Sequence, residues 1–112
     1  MNNVLLTGAT GFLGSFLARE LLDRGYRIFA LARGKGEKSA KERVHDALRF
    51  VYEKEWKARF ISDNVEVIEG DITSAGLGIK REVAARLKSE TDIIIHSAAL
   101  AELRVPLQKI RK

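Results

Sequence analysis

Thr7-Gly8-Ala9-Thr10-Gly11-Phe12-Leu13-Gly14 is the stretch that decides how this 112-residue chain reads. Just before it, Val4-Leu5-Leu6 is a short apolar run, as expected of a parallel strand covered on both faces. Just after it, Phe12, Leu13, Phe16, Leu17, Leu21 and Leu22 recur at helical spacing until Gly25 supplies a C-terminal stop. The three glycines, spaced GxxGxxG, therefore occupy a strand-to-helix turn. There Gly8 permits a sharp exit from the strand, Gly11 leaves room for a ligand against the backbone, and Gly14 lets the helix pack closely on the sheet. Amides at the start of that helix, aided by its dipole, suit a pyrophosphate. Nine glycines make chance spacings easy, so the flanking strand and helix are what give the triplet meaning.

Working outward, Arg27 to Ala32 reads as a second buried strand that ends in the loop Arg33-Gly34-Lys35-Gly36. Ser39 followed by Glu42 forms a capping box, and Val44, Ala47, Leu48 and Val51 lay an apolar stripe along a long helix. Val65 to Asp71 is the third strand. A helix over roughly Lys80 to Ser89 turns Val83, Ala84 and Leu87 inward, and Asp92 to His96 is the fourth strand. Val105 to Lys112 has the pattern of a further helix starting. Strands alternating with helices imply parallel pairing through right-handed crossovers. The expectation is an α/β fold: a Rossmann-like, doubly wound parallel sheet of strand order 3-2-1-4, incomplete, in a single domain over residues 1–112. Ligands of such sheets bind at the carboxyl ends of the strands, in the crevice between strands one and four.

A hydrophobic fraction of 46% and a charged fraction of 31% are those of an ordinary globular protein. With no cysteine there is neither a disulfide framework nor thiolate metal chemistry, and no metal site is read. Met1 leads directly into Asn2-Asn3 with no signal peptide, and the apolar runs fall far short of the ~20 residues of a membrane span. A cytoplasmic protein without a membrane partner is expected. The net charge of +5 does not point to nucleic acid, because the basic residues of 37–60 and 80–90 are interleaved with Glu and Asp.

Thr7 to Gly14, Gly70-Asp71 and His96-Ser97-Ala98-Ala99 together resemble the extended short-chain dehydrogenase/reductase superfamily, which is NAD-dependent epimerase/dehydratase-like, over nearly the whole chain. Three features are most similar to the thioester reductase and fatty acyl-CoA reductase group. They are the long basic helix after Leu31-Ala32-Arg33, the Gly70-Asp71-Ile72 turn followed by Leu77-Gly78-Ile79, and the His96 to Ala99 end. The resemblance implies NADPH-dependent reduction of carrier-bound or CoA-bound acyl thioesters. It implies cofactor contacts at Gly8, Thr10, Gly11, Phe12, Leu13 and Gly14, at Arg33 and Lys35, at Asp71 and Ile72, and at Ser97, Ala98 and Ala99. In it Asp71 accepts from the adenine amine, although its residue type equally suits a helix cap or turn. Ser97, Ala98 and Ala99 leave room for the nicotinamide-side ribose, and small residues also suit plain strand–helix packing.

NAD-binding sheets of this kind carry an acidic residue at the end of strand two, where it accepts the ribose 2′-hydroxyl. Here Ala32 holds that place, followed by Arg33, Lys35 and Lys38, and a guanidinium grips a phosphate through two parallel hydrogen bonds. NADP is therefore expected over NAD. His96 reads as a buried strand histidine and His45 as lying on the solvated side of its helix; neither is a candidate catalyst.

The superfamily's Tyr-x-x-x-Lys pair is absent, since Ala30 and Trp56 stand four residues after Tyr26 and Tyr52. No catalytic residue is assigned. The chain reads as the cofactor-binding part of a longer, NADP-dependent oxidoreductase and is expected to be inactive alone. A nucleotide-sugar epimerase or dehydratase fragment, and a non-catalytic nucleotide-binding or redox-sensing module, are the alternatives. Asp92 to His96, with three consecutive isoleucines at an open sheet edge, is expected to pair with a second copy as a homodimer.

Overall fold

The computed structural model describes residues 2–71 and 78–97. Ile72, Leu77, Ala98, Ala99 and the segment 105–112, on which expectations were placed, lie outside the described residues. In chain order the elements are β1 (Asn3–Thr7), α1 (Phe12–Asp23), β2 (Arg27–Ala32), α2 (Ala40–Tyr52), a short 3-10 turn (Glu53–Glu55), α3 (Ala58–Asn64), β3 (Val65–Glu69), α4 (Arg81–Glu90) and β4 (Ile93–His96).

The four strands are parallel in the order β3-β2-β1-β4, as expected. Thr7 stands opposite Leu31 on one side and His96 on the other, so the carboxyl ends of β1, β2 and β4 are level. The glycine turn, the loop after Ala32 and Ser97 thereby issue from one edge of the sheet. Alternation along the strands divides the core. Val4, Leu6, Ile28 and Ala30 pack with Ala18, Leu22, Val44, Leu48, Val51 and Ile61 of the helices, whereas Leu5, Phe29, Leu31 and Ile68 form a smaller cluster with Leu87. Continuous apolar runs are what strands buried on both faces require.

Local chemistry fixes the helix positions. The Ser39 hydroxyl accepts from the Glu42 amide at 3.1 Å and the Glu42 carboxylate accepts from the Ser39 amide at 3.1 Å, the expected capping box, worth about 1 kcal/mol. Arg86 of α4 donates to Glu66 of β3 at 2.6 Å and lies 5.5 Å from the Phe29 ring centroid, which ties α4 to its face of the sheet.

Helix α2 stops at Tyr52, just past the last residue of its apolar stripe, where Glu53 takes φ 51 without the help of a glycine, and α3 follows as an element that the sequence reading did not name. Three expectations need correcting. Strands three and four are shorter than read, ending at Glu69 and starting at Ile93. His96 is exposed rather than buried, because among the described residues β4 is the outermost strand and its last residue stands at the sheet's carboxyl edge. His45 is half-buried rather than solvated, its ring 6.1 Å from that of Trp56 in an edge-on arrangement. The break after α2 places Trp56 alongside the helix and covers that flank.

Burial pushes the His45 imidazole below its ordinary value, and nearby Lys41 and Arg49 add to the effect while Asp46 opposes it. The unfolded chain therefore takes a proton on this ring at a higher pH than the folded chain does. Between the two values stability rises with pH, and the contribution is lost as pH falls through the folded value. Denaturant midpoints should drop between about pH 7.5 and about pH 5.5, and His45→Gln should flatten that slope. An unchanged slope in the variant would exclude His45 as the titrating group.

Candidate functional site

The turn after β1 is built from backbone. Gly8 adopts φ 81, and its carbonyl accepts from the Gly11 amide at 3.0 Å. A Cβ on Gly14 would lie 1.8 Å from the Gly8 oxygen and 2.5 Å from its carbonyl carbon, so the start of α1 rests directly on the turn. Gly11 differs: a Cβ there would meet only the Gly8 oxygen, at an ordinary 3.4 Å. The protein's own packing leaves the Gly11 position open. Helix α1 begins at Phe12 with no side-chain cap on its N-terminus and no acidic residue in its first turn. The positive end of the dipole and the first-turn amides thus suit an external anion. The Phe12 and Leu13 side chains are exposed, with Phe12 stacked edge-on against Phe16 at 5.0 Å, so these positions meet the turn through their backbone. Thr7 ends β1 with a fully buried hydroxyl that has no hydrogen-bond partner among the described residues.

At the end of β2, Ala32 is buried and brings no carboxylate. Arg33 is exposed, and its Nη1 lies 3.9 Å from the carboxylate of Asp71, just past β3. Paired backbone bonds between Lys35 and Lys38, at 2.9 and 3.1 Å, with Gly36 at φ 61, fold the loop into a tight hairpin. Lys35 is exposed, whereas Lys38 is ion-paired with Asp46 of α2. Ser97 is buried at the end of β4.

Sequence reasoning missed Arg43. Its Nη1 donates to the Arg33 carbonyl at 2.7 Å, and its Nη2 makes a long 3.5 Å contact with the Thr10 hydroxyl. One side chain thus spans the glycine turn, the end of β2 and α2. The signal was present: Arg43 falls among Ala40, Val44, Ala47 and Leu48 on the inward stripe of α2, where a cation is out of place unless it has work at the site. Tyr52, by contrast, offers no proton chemistry. Its hydroxyl donates to Asp23 at 3.1 Å, and burial first, then Asp23, keep it protonated, with a pKa pushed up to about 12.

A parallel sheet of this order, with a glycine turn opening onto an uncapped helix, is the arrangement of Rossmann-like dinucleotide-binding domains. The NAD-binding family described as male sterility protein matches residues 6–112, and the chain belongs to that family. The L-2-aminoadipate reductase of Saccharomyces cerevisiae is 36% identical over 114 residues, covering 97% of this chain and 8% of that protein. The terminal R domain from the myxalamid PKS-NRPS biosynthetic pathway superposes with a TM-score of 0.71 at 36% identity, covering 87% of this chain and 24% of that one. A Vitis vinifera leucoanthocyanidin reductase, solved as its binary complex with NADPH, superposes with a TM-score of 0.54 at 26% identity, covering 86% and 26%. These similarities support the thioester reductase group of the extended short-chain dehydrogenase/reductases. The chain spans under a tenth of the curated relative and about a quarter of the solved chains.

The two glycines separate folding from binding. Gly14→Ala forces a backbone clash and should destabilise the fold by roughly 3 kcal/mol or more. Gly11→Val should keep the circular dichroism of the parent and lose dinucleotide binding by calorimetry. A folded Gly11→Val protein that still binds would show the turn to be structural only.

Proposed function

We propose that this chain is the NADP(H)-binding part of a reductase acting on carrier-bound or CoA-bound acyl thioesters, working in the cytoplasm. The observation that carries the cofactor reading is the guanidinium pair at the end of β2: Arg33 and Arg43 beside Ala32, where NAD-binding sheets hold a carboxylate. The residues present fit the group. The uncapped start of α1 and the open face of Gly11 would take the pyrophosphate, beside Thr10 and the backbone of Phe12, Leu13 and Gly14. Arg33, Arg43 and Lys35 would take the 2′-phosphate, Asp71 and Ile72 the adenine, and Ser97, Ala98 and Ala99 the nicotinamide-side ribose. When bound, the dihydronicotinamide supplies hydride for a carbonyl carbon.

What these residues do is bind and orient. No acid or base for the reaction is assigned to them, and the 112 residues alone are proposed to be inactive. The thioester class rests on the resemblance of the Gly70-Asp71-Ile72 turn and the His96 to Ala99 end to the thioester reductase group, and relatives named as reductases support reduction as the reaction. NADPH should bind more tightly than NADH, and Arg33→Ala or Arg43→Ala should each weaken NADPH roughly tenfold with little effect on NADH. Equal affinities in the parent, or a preference for NADH, would overturn the assignment.

We also propose that the 112-residue chain pairs with a second copy along β4. That strand has β1 on one side only among the described residues, and Ile93 and Ile94 are 41% and 58% exposed. Antiparallel pairing about a two-fold axis would join two sheets into one. Light scattering should give the mass of a dimer, and Ile94→Lys should give a monomer. A monodisperse parent monomer would exclude the pairing.

A further inference from the structure

Between the glycine turn and α2 lies a basin of about 300 Å³ lined by Thr10, Lys38, Arg43, Asp46 and Ala47. Arg43 and Asp46 are three residues apart on α2 and therefore share a face. Lys38 reaches in from the hairpin and donates to the Asp46 carboxylate. Both partners are largely exposed, 61% and 56%, and such pairs contribute little to stability. The pair can thus open at little cost to the fold, yet it places a carboxylate in the same basin as Arg43, where an incoming phosphate would be repelled.

We propose that Asp46 is a counter-ion that sets how strongly this basin takes a phosphate dianion. It holds Lys38 in the free protein and yields that ammonium when the 2′-phosphate of the dinucleotide enters. The inference rests on the NADP(H) reading above and adds a residue that opposes binding to those that favour it. Electrostatics demands opposite signs from the two partners. Asp46→Asn removes the repelling charge and frees Lys38; Lys38→Met leaves the carboxylate unneutralised. If the pair only pinned the 35–38 hairpin to α2, losing either partner would act in the same direction.

The test is calorimetric titration of the protein with 2′,5′-ADP, which carries the 2′-phosphate, and with 5′-AMP, which does not. Asp46→Asn should tighten 2′,5′-ADP roughly three- to fivefold at low salt, Lys38→Met should weaken it by a similar factor, and neither should move 5′-AMP. Added salt should shrink both effects. Weaker or unchanged 2′,5′-ADP binding in Asp46→Asn, or equal shifts for both ligands, would overturn the proposal while leaving the NADP(H) reading standing. A parent protein that binds 2′,5′-ADP no better than 5′-AMP would overturn that reading and this proposal with it.

Discussion

The contact between the start of α1 and the Gly8 carbonyl, so close that only glycine fits at position 14, sets the geometry from which the rest follows. Pressed onto the turn, α1 can leave β1 in only one direction, and its inner face lays Ala18, Leu21 and Leu22 on the sheet. With α1 in place, Arg19 reaches the Val51 carbonyl at 2.6 Å and lies 4.7 Å from the Tyr52 ring centroid, fastening α2 to it. The contact also aims the amino end of α1 at the carboxyl edge of the sheet. Packing and anion binding therefore share one cause, and a residue that loosened the first would misdirect the second.

The candidate site combines two kinds of recognition. At the turn, fixed backbone dipoles do the work, so the side chains of Phe12 and Leu13 matter little to the anion. At the end of β2 and on α2, charged side chains do it, and these are held by weaker means: a capping box, a four-residue hairpin and exposed ion pairs. Substitution of Gly14 at the first place would alter folding and binding together, whereas the open Gly11 position touches binding alone. Substitutions at the second alter selectivity with the fold intact, which makes that region the natural place for cofactor preference to change.

Much of this was legible because the signals are local and redundant. A buried parallel strand is a continuous apolar run, and a capping box names its own residues, so strand order and the start of α2 could be read without a structure. What escaped reading depends on position in space. No glycine or proline marks the end of α2, where Glu53 takes a positive φ, so nothing in the sequence announced α3 as a separate element. His45 was misplaced for the same reason, since the ring that covers it comes from beyond the break. Arg43 escaped because its partners, Thr10 and Arg33, are 33 and 10 residues away and come together only through the sheet.

The connector that ends α2 also carries the chain's single tryptophan. Trp56 is half-buried beside three side chains of α2, with the Arg49 guanidinium 5.1 Å, the His45 ring 6.1 Å and the Tyr52 ring 6.5 Å from its centroid. None of these groups belongs to the glycine turn or the loop after β2. The molecule thereby contains one indole fluorophore, whose emission, excited selectively over that of the two tyrosines, is tied to the seam between α2 and α3, so that loosening of this corner is visible as its own optical signal, apart from whatever happens at the nucleotide end of the sheet.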